Sequence, residues 1–309
     1  SFSNVNAQCP EGDVQLLSQA EVDAFGATYP NCHNFTENIF VGCVDCDTDI
    51  HDITGLSNLV TVQGNFIIWY TKLINLSGLE NLSSVGGNFS INLNNLLADI
   101  SQLSSLTHVN GKLEIGGNNL LSSLNGLQGI VGSIGEIRIL VNQNLESIES
   151  LGNITSINGS LRVLSNAALS NLKGLNSIST VGGILSISNN QSLSNLGDLE
   201  NLVSLNGYLI IEDNPLLTSL YGIHNIEATS IGNGELGLIL VNNQSLSTCN
   251  LPNICEYLSW DSSEYPREIF ENTGDCTDEQ AVLAACGLGI NDMENDSANW
   301  NVHYQKNTG

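Results

Sequence analysis

Leu103-Ser-Ser-Leu106-Thr-His-Val109-Asn-Gly111-Lys-Leu113-Glu-Ile115 decides the fold, because its spacing, L-x-x-L-x-x-V-x-G-x-L-x-I, returns along most of the chain. Units open at Leu56, Leu79, Leu103, Leu127, Leu151, Leu175, Leu199 and Ile223, the first step being 23 residues and the next six 24 each. A period of this length marks a solenoid, in which each coil buries its apolar side against its neighbours.

Inside each unit an apolar pair alternates with other residues: Phe66/Ile68, Phe89/Ile91, Leu113/Ile115, Ile137/Ile139, Leu161/Val163, Leu185/Ile187, Leu209/Ile211 and Leu238/Leu240. Alternation at period two is a strand with one buried face. Two residues before the pair stands Gly64, Gly87, Gly111, Gly135, Gly159, Gly183 or Gly207, a fixed corner that suggests a turn with positive φ. Three residues after it stands Asn94, Asn118, Asn142, Asn166, Asn190, Asn214 or Asn243. Asn tolerates the left-handed region, and stacked amides can bond turn carbonyls of adjacent coils. Three short apolar segments per unit fit a parallel β-helix better than a helical leucine-rich horseshoe, whose repeat is spaced differently. Eight coils at about 4.8 Å each make a rod about 40 Å long.

The unit resembles the receptor L domain of insulin- and EGF-type receptors. It is closer still to the L-domain-like repeats of fungal cell-wall proteins and secreted bacterial surface proteins. The resemblance covers residues 53–249 and implies a right-handed parallel β-helix used for recognition. Members of that family meet different ligands through different faces, so no binding residue carries over.

Eight cysteines lie only towards the two ends: Cys9, Cys32, Cys43 and Cys46, then Cys249, Cys255, Cys276 and Cys286. An even number so placed is expected to form disulfide-bonded caps in an oxidising compartment. Zinc is the rival for Cys43-Val-Asp-Cys46, but no second pair stands at ligand spacing. Ser18-Gln-Ala-Glu21 is a capping box that opens a helix, with Gly26 placed to end it, and Cys9 and Cys32 flank that helix as a pair. Thr277-Asp-Glu-Gln280 is a second such box, for a helix through Ala285. Cys276 and Cys286, at the ends of that helix, are about 15 Å apart and out of bonding reach. Each therefore takes Cys249 or Cys255, in one of two connectivities.

The expected organisation is a signal-peptide remnant or disordered start at 1–8, an N-terminal cysteine cap at 9–52 and repeats at 53–249. A C-terminal cysteine cap follows at 250–287, then a linker or sorting segment at 288–309. Val5-Asn-Ala7 fits a small-x-small cleavage site. Trp300-Asn-Val-His-Tyr304 with Asn307-Thr-Gly309 resembles the opening of a type IX secretion sorting domain, although that motif's Pro-rich core is absent. Secretion or display at the cell surface is the expected location.

Lys and Arg number 7 against 32 Asp and Glu, a net charge of −25 that repels nucleic acid and anionic membrane surfaces. No apolar run of 18 residues occurs, so no membrane insertion is expected. No HExxH, GxSxG, phosphate-binding or dinucleotide-binding motif is present, and the five His occupy unrelated places in the unit. Polysaccharide-degrading β-helices need clustered carboxylates, and the outward strand positions offer no stack of Asp. A non-catalytic recognition module, without cofactor, is therefore expected to bind an extracellular glycan or protein. A structural or adhesive rod without a specific ligand is the alternative, and a polysaccharide-degrading β-helix enzyme comes last. The candidate metal is calcium, at the alternating Asp45, Asp47 and Asp49. Sequons begin at Asn34, Asn75, Asn81, Asn88, Asn153, Asn158, Asn190, Asn243 and Asn295, the seventh and eighth falling in the Asn column.

The candidate ligand site is an outward column of the strands. Lys112, Glu114, Arg138 and Arg162 lie in adjacent coils, so a protein this acidic carries a small basic island on one face. Arg138 and Arg162 should stack about 4.8 Å apart, which needs Glu114 and Glu136 beside them. Trp69 and Tyr208, on the same side but in other coils, can stack on sugar rings or peptide side chains.

Overall fold

A computed structural model describes residues 8–44, 46–232 and 237–288. Its main feature is an 11-stranded, wholly parallel sheet. The strands Phe66–Trp69, Phe89–Asn92, Lys112–Gly116, Glu136–Leu140, Leu161–Leu164, Leu185–Ser188, Leu209–Glu212 and Leu238–Val241 come from the repeats. Val14–Leu16 and Ile39–Gly42 extend the sheet at one edge, and Arg267–Phe270 at the other. Like positions of successive coils pair: Ile137 with Leu161, Ile139 with Val163. Both residues of every inward pair are at most 1% exposed, as the period-two pattern requires.

Shorter strands make two further parallel sheets. One joins Asn34–Phe35, Thr61–Val62, Ser84–Val85 and His108–Val109; the other joins Gly132–Ile134, Ile154–Ile157, Thr180–Val181 and Ser204–Leu205. The two are separated at Gly132, where φ is +77° and the register shifts. On another side, short 3₁₀ turns such as Ser101–Ser105 and Glu149–Leu151 point the opening leucine of the unit inward. This stacking of like coils is compatible with a parallel β solenoid.

The Asn column is the spine expected of it. All seven side chains are fully buried. Asn142 is typical: its Oδ1 accepts from the Asn118 backbone N–H (3.0 Å), and its Nδ2 donates to the Ile115 carbonyl (2.9 Å). Thr71 extends the ladder at one end and Asn272 at the other. The left-handed residue, however, is the one before each Asn, for example Leu93, Val141 and Asp213. Full burial also sets Asn190 and Asn243 apart from the exposed sequon residues Asn34 and Asn153.

The glycine column needs correction. None of Gly64, Gly87, Gly111, Gly135, Gly159, Gly183 and Gly207 has a positive φ. Their reason is contact between coils: a Cβ on Gly135 would stand 2.5 Å from the Gly111 carbonyl oxygen.

Helix α1, Gln19–Thr28, starts with the expected capping box at Ser18 and Glu21. It runs on through Gly26 to Tyr29, so Gly26 does not end it. Gly26 instead lets α1 touch the coil at Gly55, whose carbonyl oxygen would lie 2.7 Å from an added Cβ. Helix α2, Pro252–Leu258, carries Cys255 and begins at Pro252, a residue suited to a first helical turn. Helix α3, Glu279–Ala285, starts one residue later than the sequence suggested: Asp278, not Thr277, is its N-cap and accepts from the Ala281 N–H.

The disulfides are Cys9–Cys32, Cys43–Cys46, Cys249–Cys276 and Cys255–Cys286. They indicate an oxidising, extracellular environment. Among the described residues, no helix is long and apolar enough to cross a membrane. Near α3, the side chain of Arg267 is 3% exposed. It is held by Glu279 and by the carbonyls of Leu258, Trp260 and Tyr265. The expected signal remnant and sorting segment lie outside the described residues, apart from Gln8 and Leu288.

Candidate functional site

Strand alternation that turns one residue into the core turns the next one out, so the large sheet presents flat columns to solvent. One outward column runs Ile67, Ser90, Glu114, Arg138, Arg162, Ser186, Ile210 and Ile239 through successive pairings. Lys112 pairs with Glu136 in the adjoining column.

The structure brings Lys112, Glu114, Arg138 and Arg162 together as a ladder of alternating sign. Lys112 Nζ contacts Glu114, and Arg138 lies 3.7 Å from the same carboxylate. Glu136 Oε1 accepts from Arg138 Nε at 2.7 Å and from Arg162 Nη1 at 3.4 Å. Arg138 and Arg162 are direct neighbours in register, as expected, and Glu136 lies between their charges. These side chains are 15–31% exposed, so the ion pairs are partly shielded from solvent while one edge stays accessible. Asn92, which the sequence reading passed over, donates to Glu114 Oε1 at 2.7 Å. Its only signal was its place in the outward column between Trp69 and Gly116.

Trp69 and Tyr208 do not join this cluster. Trp69 is two strands from Glu114 on one side, and Tyr208 borders the strand two beyond Arg162 on the other. At about 4.8 Å per strand, the six steps between them span about 29 Å, so the candidates line a broad face and not one pocket. Trp69 Nε1 and Asn92 Oδ1, side chains of paired residues, are both buried without a hydrogen-bond partner among the described residues.

The acidic loop is differently arranged. Asp47 faces Lys72 at 3.1 Å, and Asp49 Oδ1 accepts from the Gln19 N–H at the start of α1 (2.8 Å). Gln19 answers with its own side chain, which accepts from the backbone N–H of His51 and Asp52. These two carboxylates thus have separate partners, and Asp45 lies outside the described residues. Among the described residues no group of three or more His, Cys, Asp or Glu converges to hold a metal. No protein-family model matches this chain, and no curated protein matches it.

Proposed function

We propose that this chain is a secreted or cell-surface recognition module, without catalytic chemistry or cofactor, that binds an extracellular glycan or protein through the outer face of its large sheet. The architecture we infer is a right-handed parallel β-helix of the L-domain type, its two ends closed by short helices held by disulfides. Export by the type IX route belongs to the same reading, and neither nucleic acid nor membrane insertion does.

The observation that carries it is the ladder Lys112–Glu114–Arg138–Glu136–Arg162. Three cations stand against two carboxylates, in fixed register on a flat face, in a protein whose net charge is −25. A carboxylate or sulfate is repelled over most of such a surface but meets planar guanidinium forks here. Heparin and polygalacturonate are suitable probes, because a ligand that binds only the folded state raises the melting temperature. One of them should raise it for the native chain, and Arg138→Ala or Arg162→Ala should weaken binding by about 1–3 kcal/mol per lost charged hydrogen bond.

The second reading is a structural or adhesive rod, favoured by the way Glu114 and Glu136 already occupy all three cations. An Arg138→Ala/Arg162→Ala protein that melts several degrees lower, yet responds to both probes like the native chain, would establish the rod.

A further inference from the structure

We propose a second binding site, for an uncharged oligosaccharide, in the groove at the 3₁₀ corner of the central coils, extended by Tyr221 in the coil that follows. The groove has a volume of about 540 Å3 and is lined by residues that include Glu149, Gly152, Lys173, Asn176, Gly197 and Glu200. Its origin lies in two missing side chains. In the 24-residue register Gly152 stands between Gln128 and Asn176, and Gly197 between Lys173 and Tyr221. Each glycine opens a gap one coil high in a column of polar side chains.

Neither gap is demanded by the backbone. Both glycines have ordinary φ values, and an added Cβ would meet nothing closer than 3.3 Å. Gly174 in the same groove differs, with φ at +106° and a carbonyl oxygen 2.1 Å from an added Cβ. Folding explains Gly174 and leaves Gly152 and Gly197 unexplained.

The walls suit sugar hydroxyls. The side chains of Glu149, Lys173, Asn176 and Glu200 are all exposed, and none makes a hydrogen bond or ion pair among the described residues. Together they offer carboxylate acceptors, an amide that both donates and accepts, and an ammonium donor, the mixture that hydroxyl groups need. Glu149, Asp198 and Glu200 outnumber Lys173, so an anionic sugar is disfavoured. An apolar peptide side chain finds no apolar pocket among these lining groups.

Tyr221 supplies the remaining part. It occupies the place of Gly197 one coil on, and Gly222 beside it packs against the Leu196 carbonyl, which fixes this neighbourhood. The residue is 61% exposed, yet its ring is stacked on His224, with centroids 4.4 Å apart and planes 19° from parallel. His224 is itself held by Nδ1 against the Tyr221 carbonyl oxygen. An aromatic ring that is both exposed and braced is a ready platform for the C–H face of a sugar, and its polar rim hydrogen-bonds at the edge. At about 4.8 Å per coil, the three steps from Glu149 to Tyr221 span about 14 Å, the length of a short oligosaccharide lying along the stack.

Titration calorimetry with cellohexaose, xylohexaose, mannohexaose and maltohexaose, using spermine as a cationic control, tests the site. At least one sugar should bind. Tyr221→Ala should weaken it about tenfold, the loss of one aromatic contact. Gly152→Gln, which fills the gap with the side chain found one coil earlier, should abolish binding while leaving the melting temperature near that of the native chain. Arg138→Ala on the sheet face should leave sugar binding unchanged, so this site and the anionic one fail independently. Four results overturn the proposal: no response to any of the sugars, a response to spermine alone, sugar binding that survives both groove variants, or sugar binding lost in Arg138→Ala.

Discussion

At the scale of single residues, two columns that look alike in sequence act by different physics. The Asn column is a hydrogen-bond device: removing one amide orphans a backbone N–H in one coil and a carbonyl in the strand before it. Asn142→Ala should therefore lower stability by about 1–3 kcal/mol for each of the two groups, Asn118 N–H and Ile115 C=O, measured by urea denaturation. The glycine column is a steric device. Gly135→Ala should also destabilise although its φ is ordinary, because its Cβ would meet two carbonyl oxygens within 2.7 Å. Were backbone conformation the only consideration, the ordinary φ would make alanine stabilising through a less flexible unfolded chain. Melting curves of the variant give the sign.

At the scale of elements, helix α2 carries a titratable group with a clear consequence. Burial pushes the Tyr257 phenol up to about 12, partly opposed by Arg267, while its hydroxyl donates to the Pro266 carbonyl at 3.1 Å. An unfolded tyrosine ionises near pH 10. The folded chain thus keeps a proton that the unfolded chain loses. The contribution is complete below about pH 10 and is lost as pH rises towards about 12. Denaturation between these values should show stability falling more steeply for the native chain than for Tyr257→Phe; equal slopes would remove Tyr257 as the cause. The acidic loop leads to the opposite kind of expectation. Asp47 and Asp49 already serve Lys72 and α1, so millimolar Ca2+ should leave the melting temperature unchanged. A rise that is abolished by Asp47→Asn would restore the calcium reading.

At the scale of the whole molecule, the dominant electrostatic fact is a charge of −25 on 309 residues. Self-repulsion at that charge disfavours the compact state. Raising ionic strength from about 0.01 M to about 0.15 M shortens the screening length from about 30 Å to about 8 Å. The melting temperature should rise over that range. A fall would mean that screening weakens favourable pairs, such as those of the outer ladder, by more than it relieves the repulsion.

The 24-residue register determined from the sequence alone which side chains face the core and which stack on the outer face. Strand alternation and coil stacking are periodic constraints that apply to every unit at once. So spacing alone places Arg138 beside Arg162 and the Asn column in the interior. Cys9–Cys32 was legible for a related reason, since a capping box brackets the helix between them. Tertiary structure decided what depends on the distance between atoms of different coils or ends. It chose Cys249–Cys276 and Cys255–Cys286 from two open connectivities. It also turned the glycine column from a φ requirement into a contact requirement. Gly152 and Gly197 remained silent in the sequence because only the packed coils show that an added Cβ there would meet nothing closer than 3.3 Å.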